Sequence, residues 1–252
     1  MAWDGVRANT CTGSIGQKTL NNPAHCAGIG LHSGAEIVMT LRPAPVDSGI
    51  VFSRVDKGDA LLPALYDRVC GTTLGTSLGE KNGASVGTVE HLMAALWGCE
   101  IDNVFVEVDG PEVPAMDGSA APFVDLIERA GTVEQQGLRQ VIKVRRRVEV
   151  VDGERRIALI PTENFSVDLS IDFKHRVIAC QSSLFDGGPL AFKSEISGAR
   201  TFGFVKEVEA LRAAGLAKGG CLENSIVLGD EDIGIMNEGG LRYENEFARH
   251  KV

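Results

Sequence analysis

The period of the apolar residues changes repeatedly along the first 135 residues, and this mixture constrains the fold more than any other feature of the chain. Segments 36–41, 50–55 and 104–108 carry the short, strand-like patterns of a half-buried sheet. Helical patterns interrupt them at 88–97 and 122–130; the second has Pro122 in its first turn and Gly131 just past its end, the asymmetry of a helix start and stop. A polar, Gly-terminated stretch, Glu134-Gln135-Gln136-Gly137, then breaks the pattern, and a strand-like run restarts at Val141. The expected organisation is a loose leader at 1–16, a first module at 17–137 and a second at 138–252. Helices interrupting strands are expected.

The second module opens on an expected hairpin, 141–151 and 155–160, around Asp152-Gly153, a dipeptide suited to a type I′ turn. A strand at 166–173 follows. A helix is expected over 205–214, with Val205, Val208 and Leu211 on one face and Gly215 as its stop. A strand at 224–228 and the opening of a helix at 244–252 end the chain.

With 44% hydrophobic and 23% charged residues, the chain has the composition of a protein that buries a core. A net charge of -9 and a pI near 5.1 exclude a general nucleic-acid binder, which needs a basic face to displace counterions from phosphates. No run approaches the roughly 20 apolar residues of a membrane span, and residues 1–7 lack the apolar centre of a signal peptide. A monomer in the cytoplasm, without an integral membrane segment, is expected. The six cysteines are scattered without Cys-x-x-Cys spacing, so neither a disulfide framework nor a thiolate zinc knuckle is predicted.

The chemistry concentrates at Thr88-Val89-Glu90-His91-Leu92, where an acid and an imidazole open an apolar helix that Thr88 is placed to cap. The positive end of the helix dipole disfavours a protonated imidazole and favours an ionised carboxylate. His91 is thereby suited to hold a metal and Glu90 to act as a base. Taken alone, the dipeptide is better read as a surface pair at a helix start. A second constellation, Phe247-Ala248-Arg249-His250-Lys251, follows Gly240-Leu241-Arg242-Tyr243-Glu244-Asn245-Glu246 near the end of the chain.

These blocks do not stand alone. Together with Gly28-Ile29-Gly30-Leu31-His32-Ser33-Gly34, the stretch from Pro111-Glu112-Val113-Pro114 through Met116-Asp117-Gly118-Ser119, and Ala199-Arg200-Thr201-Phe202-Gly203-Phe204, they resemble the zinc-dependent UDP-3-O-acyl-N-acetylglucosamine deacetylases of lipid A synthesis in Gram-negative bacteria, from about residue 17 onward. The resemblance implies an α+β fold class, with two similar modules, each with two helices packed on a β-sheet and the active site between them. It implies a catalytic Zn2+ held by His91 and His250, Glu90 as general base on the water, and Thr201 as hydrogen-bond donor to the oxyanion. On residue type alone, Thr201 could instead cap the following helix. Leu74, Lys143, Phe173, Phe202 and Lys251 match substrate-binding positions, with Lys251 toward the diphosphate, and residues 204–222 occupy the place of an acyl-chain insert. The implied substrate is a UDP-linked, 3-O-acylated N-acetylglucosamine, and the implied reaction releases acetate.

In the family the second histidine begins a His-x-x-x-Asp pair that puts two ligands one turn apart. The Asp would be residue 254, beyond the 252 residues of this sequence. Two of three ligands and an incomplete second module are therefore expected. The competing expectation is a noncatalytic remnant that binds the UDP-sugar or acyl chain. Glu246 shares the helical face of His250, but it is not expected to replace the missing ligand, because helical side chains lean toward the N-terminus.

Overall fold

The computed structural model describes residues 15–80, 83–230 and 232–252. Its first half runs β1 (Gly16–Leu20), β2 (Ala24–Ile29), β3 (Glu36–Pro43), β4 (Ile50–Arg54), β5 (Ala60–Pro63), β6 (Val69–Gly71), β7 (Ser77–Gly79), β8 (Ser85–Val86), α1 (Glu90–Gly98), β9 (Val104–Val108), α2 (Ala121–Ala130) and β10 (Thr132–Leu138). Five strands form a sheet in the order β2-β3-β9-β4-β5. The β4–β9 pairing is parallel and the other three are antiparallel.

Strand β9 shows why the helices sit where they do. Val104, Val106 and Val108 point to one face and are fully buried, while Phe105 and Glu107 alternate to the other. Leu92, Ala95 and Leu96 of α1 and Phe123, Val124 and Ile127 of α2 fill the same core with Met39, Leu41 and Phe52. Burying each large apolar side chain contributes about 1.5–3 kcal/mol. A nine-residue helix is marginal by itself, so this core holds α1 in place.

The same core reaches into the second half through Phe185, Phe192 and Ile196. That half contains β11 (Val148–Asp152), β12 (Arg155–Leu159), β13 (Ser166–Asp172), β14 (Cys180–Asp186), α3 (Pro189–Ala191, running into a π-turn at Phe192–Ile196), β15 (Phe202–Phe204), α4 (Val205–Ala213), β16 (Ile226–Leu228) and α5 (Glu246–Lys251). Its strands pair only two by two: β11–β12 and β13–β14 antiparallel, β15–β16 parallel. A small core of Ile178, Ile226, Leu228 and Phe247 lies beneath β15, β16 and α5. Among the described residues, then, the second half holds no single sheet of the kind expected.

Four further expectations are corrected. Residues 134–137 do not break the pattern but belong to β10, which pairs with β1 at Thr19↔Val133 and Lys18↔Glu134. Their polar side chains have structural work: the Gln135 amide accepts from Asn103 Nδ2 at 2.8 Å and donates to the Ala44 carbonyl at 2.9 Å. The irregular stretch falls instead at 139–147, and the hairpin strand begins at Val148, not Val141. The hairpin itself forms, but Asp152 pairs with Arg155, so Gly153 and Glu154 make the turn. Only Gly153 has a positive φ, at 58°, whereas a type I′ turn needs two such residues. Of the expected leader, residues 1–14 lie outside the described residues and Gly16 already belongs to β1.

Gly98, at the end of α1, shows packing overriding propensity. Alanine in a helix is ordinarily about 1 kcal/mol better than glycine. Here an added Cβ would run into the Phe192 ring, which is itself part of the core. Gly98→Ala is therefore expected to destabilise the protein by about 1–3 kcal/mol, read as a lower urea midpoint at unchanged m-value. A stabilised variant would show that Phe192 moves aside freely.

Candidate active site

Helix α1 starts at Glu90, and its entry differs from the expected capping arrangement. Thr88 is not the cap. It adopts a positive φ of 52° and its hydroxyl donates to Glu112 Oε2 at 2.8 Å, while the helix begins from Val89 with no side-chain cap. The Glu90 carboxylate turns back to accept the Thr76 N–H at 2.9 Å. This leaves it beside Gly75, where a Cβ would come within 3.2 Å of Glu90 Oε1 and 3.5 Å of His32 Nε2. Leu74, next along, is 55% exposed with φ 57°, so the Leu74-Gly75-Thr76 turn walls the site on this side.

His91 is 7% exposed, and its Nδ1 is buried without a hydrogen-bond partner. Burial pushes its pKa down, against the opposing pull of Glu90 and Asp117, and Lys251 adds to the lowering. Helix α5 brings His250 to it: the two rings lie 5.1 Å apart, edge to face. His250 Nδ1 faces the Ala199 carbonyl at 3.1 Å. A carbonyl only accepts, so Nδ1 carries the proton and Nε2 presents its lone pair. Burial first, and then the neighbouring His91, depress the His250 pKa to about 3. Two neutral imidazoles 159 residues apart in sequence thus meet, His91 buried and His250 half-buried.

The remaining expected residues gather unevenly around this pair. Phe202, on β15, packs against Phe247 at 5.0 Å, Phe173 at 5.6 Å and His250 at 6.5 Å between ring centroids. Lys251 Nζ lies 5.4 Å from the centre of the same Phe202 ring. Thr201 is not the cap of α4, because β15 intervenes and Phe204 holds that position. Its N–H instead donates to the Gly118 carbonyl at 2.8 Å and its carbonyl accepts from Ile226 at 2.7 Å, fixing it between the two halves of the chain. Lys143 is exposed in the irregular 139–147 segment, and no hydrogen bond or ion pair ties it to the others.

Glu246 is fully buried and wholly engaged. Its carboxylate accepts from the Arg200 guanidinium at 2.8 and 3.1 Å, the Arg200 N–H at 3.0 Å and the Arg242 N–H at 2.6 Å. It anchors α5 and is not turned toward His91. Among the described residues no group of three or more His, Cys, Asp or Glu side chains is arranged to hold a metal ion. The donor set nevertheless fits two positions of one: both imidazoles are neutral, His91 is buried and His250 half-buried, and His91 keeps an unsatisfied nitrogen.

Sequence reasoning missed Glu112, Ala199 and the unpartnered Nε2 of His32, all of which border the site. Glu112 and His32 each left a signal, as an acid in the Pro111–Phe123 block and an imidazole in the glycine-rich 28–34 block; a backbone carbonyl leaves none. Of the other histidines, His25 is exposed and His175 is buried with Nε2 3.3 Å from the Gly229 carbonyl. The described cysteines are all free, and burial raises Cys26 and Cys99 to about 11. No helix of the described residues is long and apolar enough to cross a membrane.

The model of the LpxC family, UDP-3-O-acyl N-acetylglycosamine deacetylase, matches residues 17–252. Over 240 residues the chain is 51% identical to the UDP-3-O-acyl-N-acetylglucosamine deacetylase of Myxococcus xanthus (strain DK1622), covering 95% of this chain and 76% of the relative. The deacetylase of the same name from Acidithiobacillus ferrooxidans (strain ATCC 53993 / BNL-5-31) is 50% identical over 241 residues, 94% of this chain and 78% of the relative. That of Syntrophotalea carbinolica (strain DSM 2380 / NBRC 103641 / GraBd1) is 47% identical over 239 residues, 94% and 76% respectively.

Proposed function

This chain belongs to the LpxC family, and on that premise we propose that it hydrolyses the acetamide of UDP-3-O-(3-hydroxyacyl)-N-acetylglucosamine, releasing acetate in the cytoplasm for lipid A synthesis. The observation that carries the reading is the His91–His250 pair, 5.1 Å apart, with the Glu90 carboxylate on the residue preceding His91. In this reading the two imidazoles hold a Zn2+ between a first module, 17–137, and a second, 138–252. Bound there, zinc lowers the pKa of water toward about 7 and polarises the scissile carbonyl.

The chain's own groups do the rest. Glu90, held by the Thr76 N–H, takes the proton from the attacking water. Thr201 directs its hydroxyl at the oxygen on which negative charge develops. Lys251 places a cation for the diphosphate against the Phe202 face, and Phe173 extends that aromatic wall. Lys143 is assigned to the nucleotide by its motif alone. The test is acetate release from the UDP-linked substrate before and after chelation. Activity lost to chelator and restored by Zn2+ supports the reading; release that ignores chelator refutes it.

A binding-only protein is the second reading, favoured by the absence of a three-ligand group among the described residues. It would retain the substrate in equilibrium dialysis while releasing no acetate.

Helix α4 and the following Gly-rich turn are assigned to the acyl chain. Unlike α1 and α2, α4 buries none of its residues, and Val208 and Leu211 on its apolar face stay half-buried. That face is open to an apolar ligand. Trp at Leu211 or at Leu216 is expected to raise KM for long-chain substrates several-fold more than for short ones. Equal changes across chain lengths would assign the segment to plain packing.

A further inference from the structure

We propose that Glu112 is a positioning residue for the Glu90–His91 turn, acting through a carboxylate clamp that joins the 30–33 turn to Thr88. Its two oxygens accept from three donors: Oε1 from Ser33 N at 2.6 Å, Oε2 from Thr88 Oγ1 at 2.8 Å, and both from the His32 N–H, shared at 3.1 and 3.2 Å. Glu112 is 3% exposed, and among the described residues no Lys or Arg side chain forms an ion pair with it. A carboxylate buried without a cation is unfavourable unless its acceptors are filled. Here they are filled by groups on either side of the proposed base.

The clamp matters because of what it holds. Thr88 is a β-branched residue at φ 52°, a conformation that persists only where surroundings impose it. Backbone bonds from Gly87 N to the Pro111 carbonyl, 2.9 Å, and from Val113 N to the Gly87 carbonyl, 3.0 Å, carry the residue to Glu112, and the hydroxyl bond sets its side chain. Two residues on, Glu90 accepts the Thr76 N–H, and Gly75 before it lies against His32, whose own N–H returns to Glu112. The contacts close a ring around the Glu90 carboxylate. Gly30 completes the fit, since a Cβ there would collide with Glu112 Oε1 and Ser33 Oγ. Small displacements of a base relative to its water are expensive in rate, so the clamp acts on kcat through Glu90 and not on substrate affinity.

The proposal rests on Glu90 being the base, and the experiment separates the two. Thr88→Val keeps the β-branched shape and removes the hydroxyl; Thr88→Ser keeps the hydroxyl. Thr88→Val is expected to lower kcat about tenfold with KM within about twofold and metal content unchanged, while Thr88→Ser recovers most of the rate. Independently of turnover, the Thr76 amide should exchange its hydrogen about tenfold faster in Thr88→Val and in Glu112→Gln, with the exchange of β9 amides unchanged. If the wild-type protein releases no acetate, the proposed function fails while the Thr76 exchange still decides the role of Glu112. Unchanged Thr76 exchange in both variants overturns the clamp. So does equal loss in Thr88→Val and Thr88→Ser, a change confined to KM, or faster exchange throughout β9, which would make Glu112 a general structural residue.

Discussion

Glu90→Gln is expected to lower kcat by about 10²- to 10⁴-fold, the range associated with a positioned general base, and to leave bound metal unchanged. The substitution is nearly isosteric, and the amide oxygen can still accept the Thr76 N–H that the carboxylate now accepts at 2.9 Å. The turn before α1 should therefore survive. What is lost is the capacity to take a proton, since a neutral amide is no base. Adjacent residues on a helix point about 100° apart, which is why Glu90 reaches Thr76 while His91 faces His250. Metal analysis of the purified variant and steady-state kinetics on the UDP-linked substrate decide the matter together. Metal lost along with turnover would make Glu90 a ligand and leave the base unassigned.

Glu246→Ala is expected to destabilise the fold by about 3–5 kcal/mol, because it strands a buried partner charge. Glu246 is fully buried, and the Arg200 side chain bound to it is only 11% exposed. Removing the carboxylate leaves that guanidinium and the Arg200 and Arg242 N–H groups without their acceptor. The effect should extend to the site, because Glu246 opens the short helix that carries His250 and Arg200 adjoins the Ala199 carbonyl facing His250 Nδ1. Urea unfolding gives the stability loss; metal affinity measured under conditions where the variant is still folded gives the local effect. A variant of wild-type stability that had lost its metal would instead place Glu246 on the ion.

Local pattern alone was enough for the elements that satisfy themselves locally. Strand β9 falls where its alternating residues place it, α2 runs between its proline and Gly131, and the hairpin around Gly153 forms, because period, turn chemistry and capping act over a few residues. The block motifs pointed to Glu90, His91, Thr201, Phe202 and His250, and their roles remain the proposal made above; the structure shows His91, Phe202 and His250 near one another. Tertiary structure decided what depends on partners distant in sequence. Residues 134–137 become a strand only because β1 supplies the ladder and Asn103 and Ala44 take up their amides. Thr88 abandons the cap because Glu112 offers its hydroxyl a buried acceptor, and Glu246 is removed from metal chemistry because Arg200 reaches it first. Whether two histidines far apart in a chain ever meet is a matter of how its cores pack: Leu92 and Leu96 seat one helix, Phe247 the other, and the imidazole centres come to 5.1 Å as a consequence.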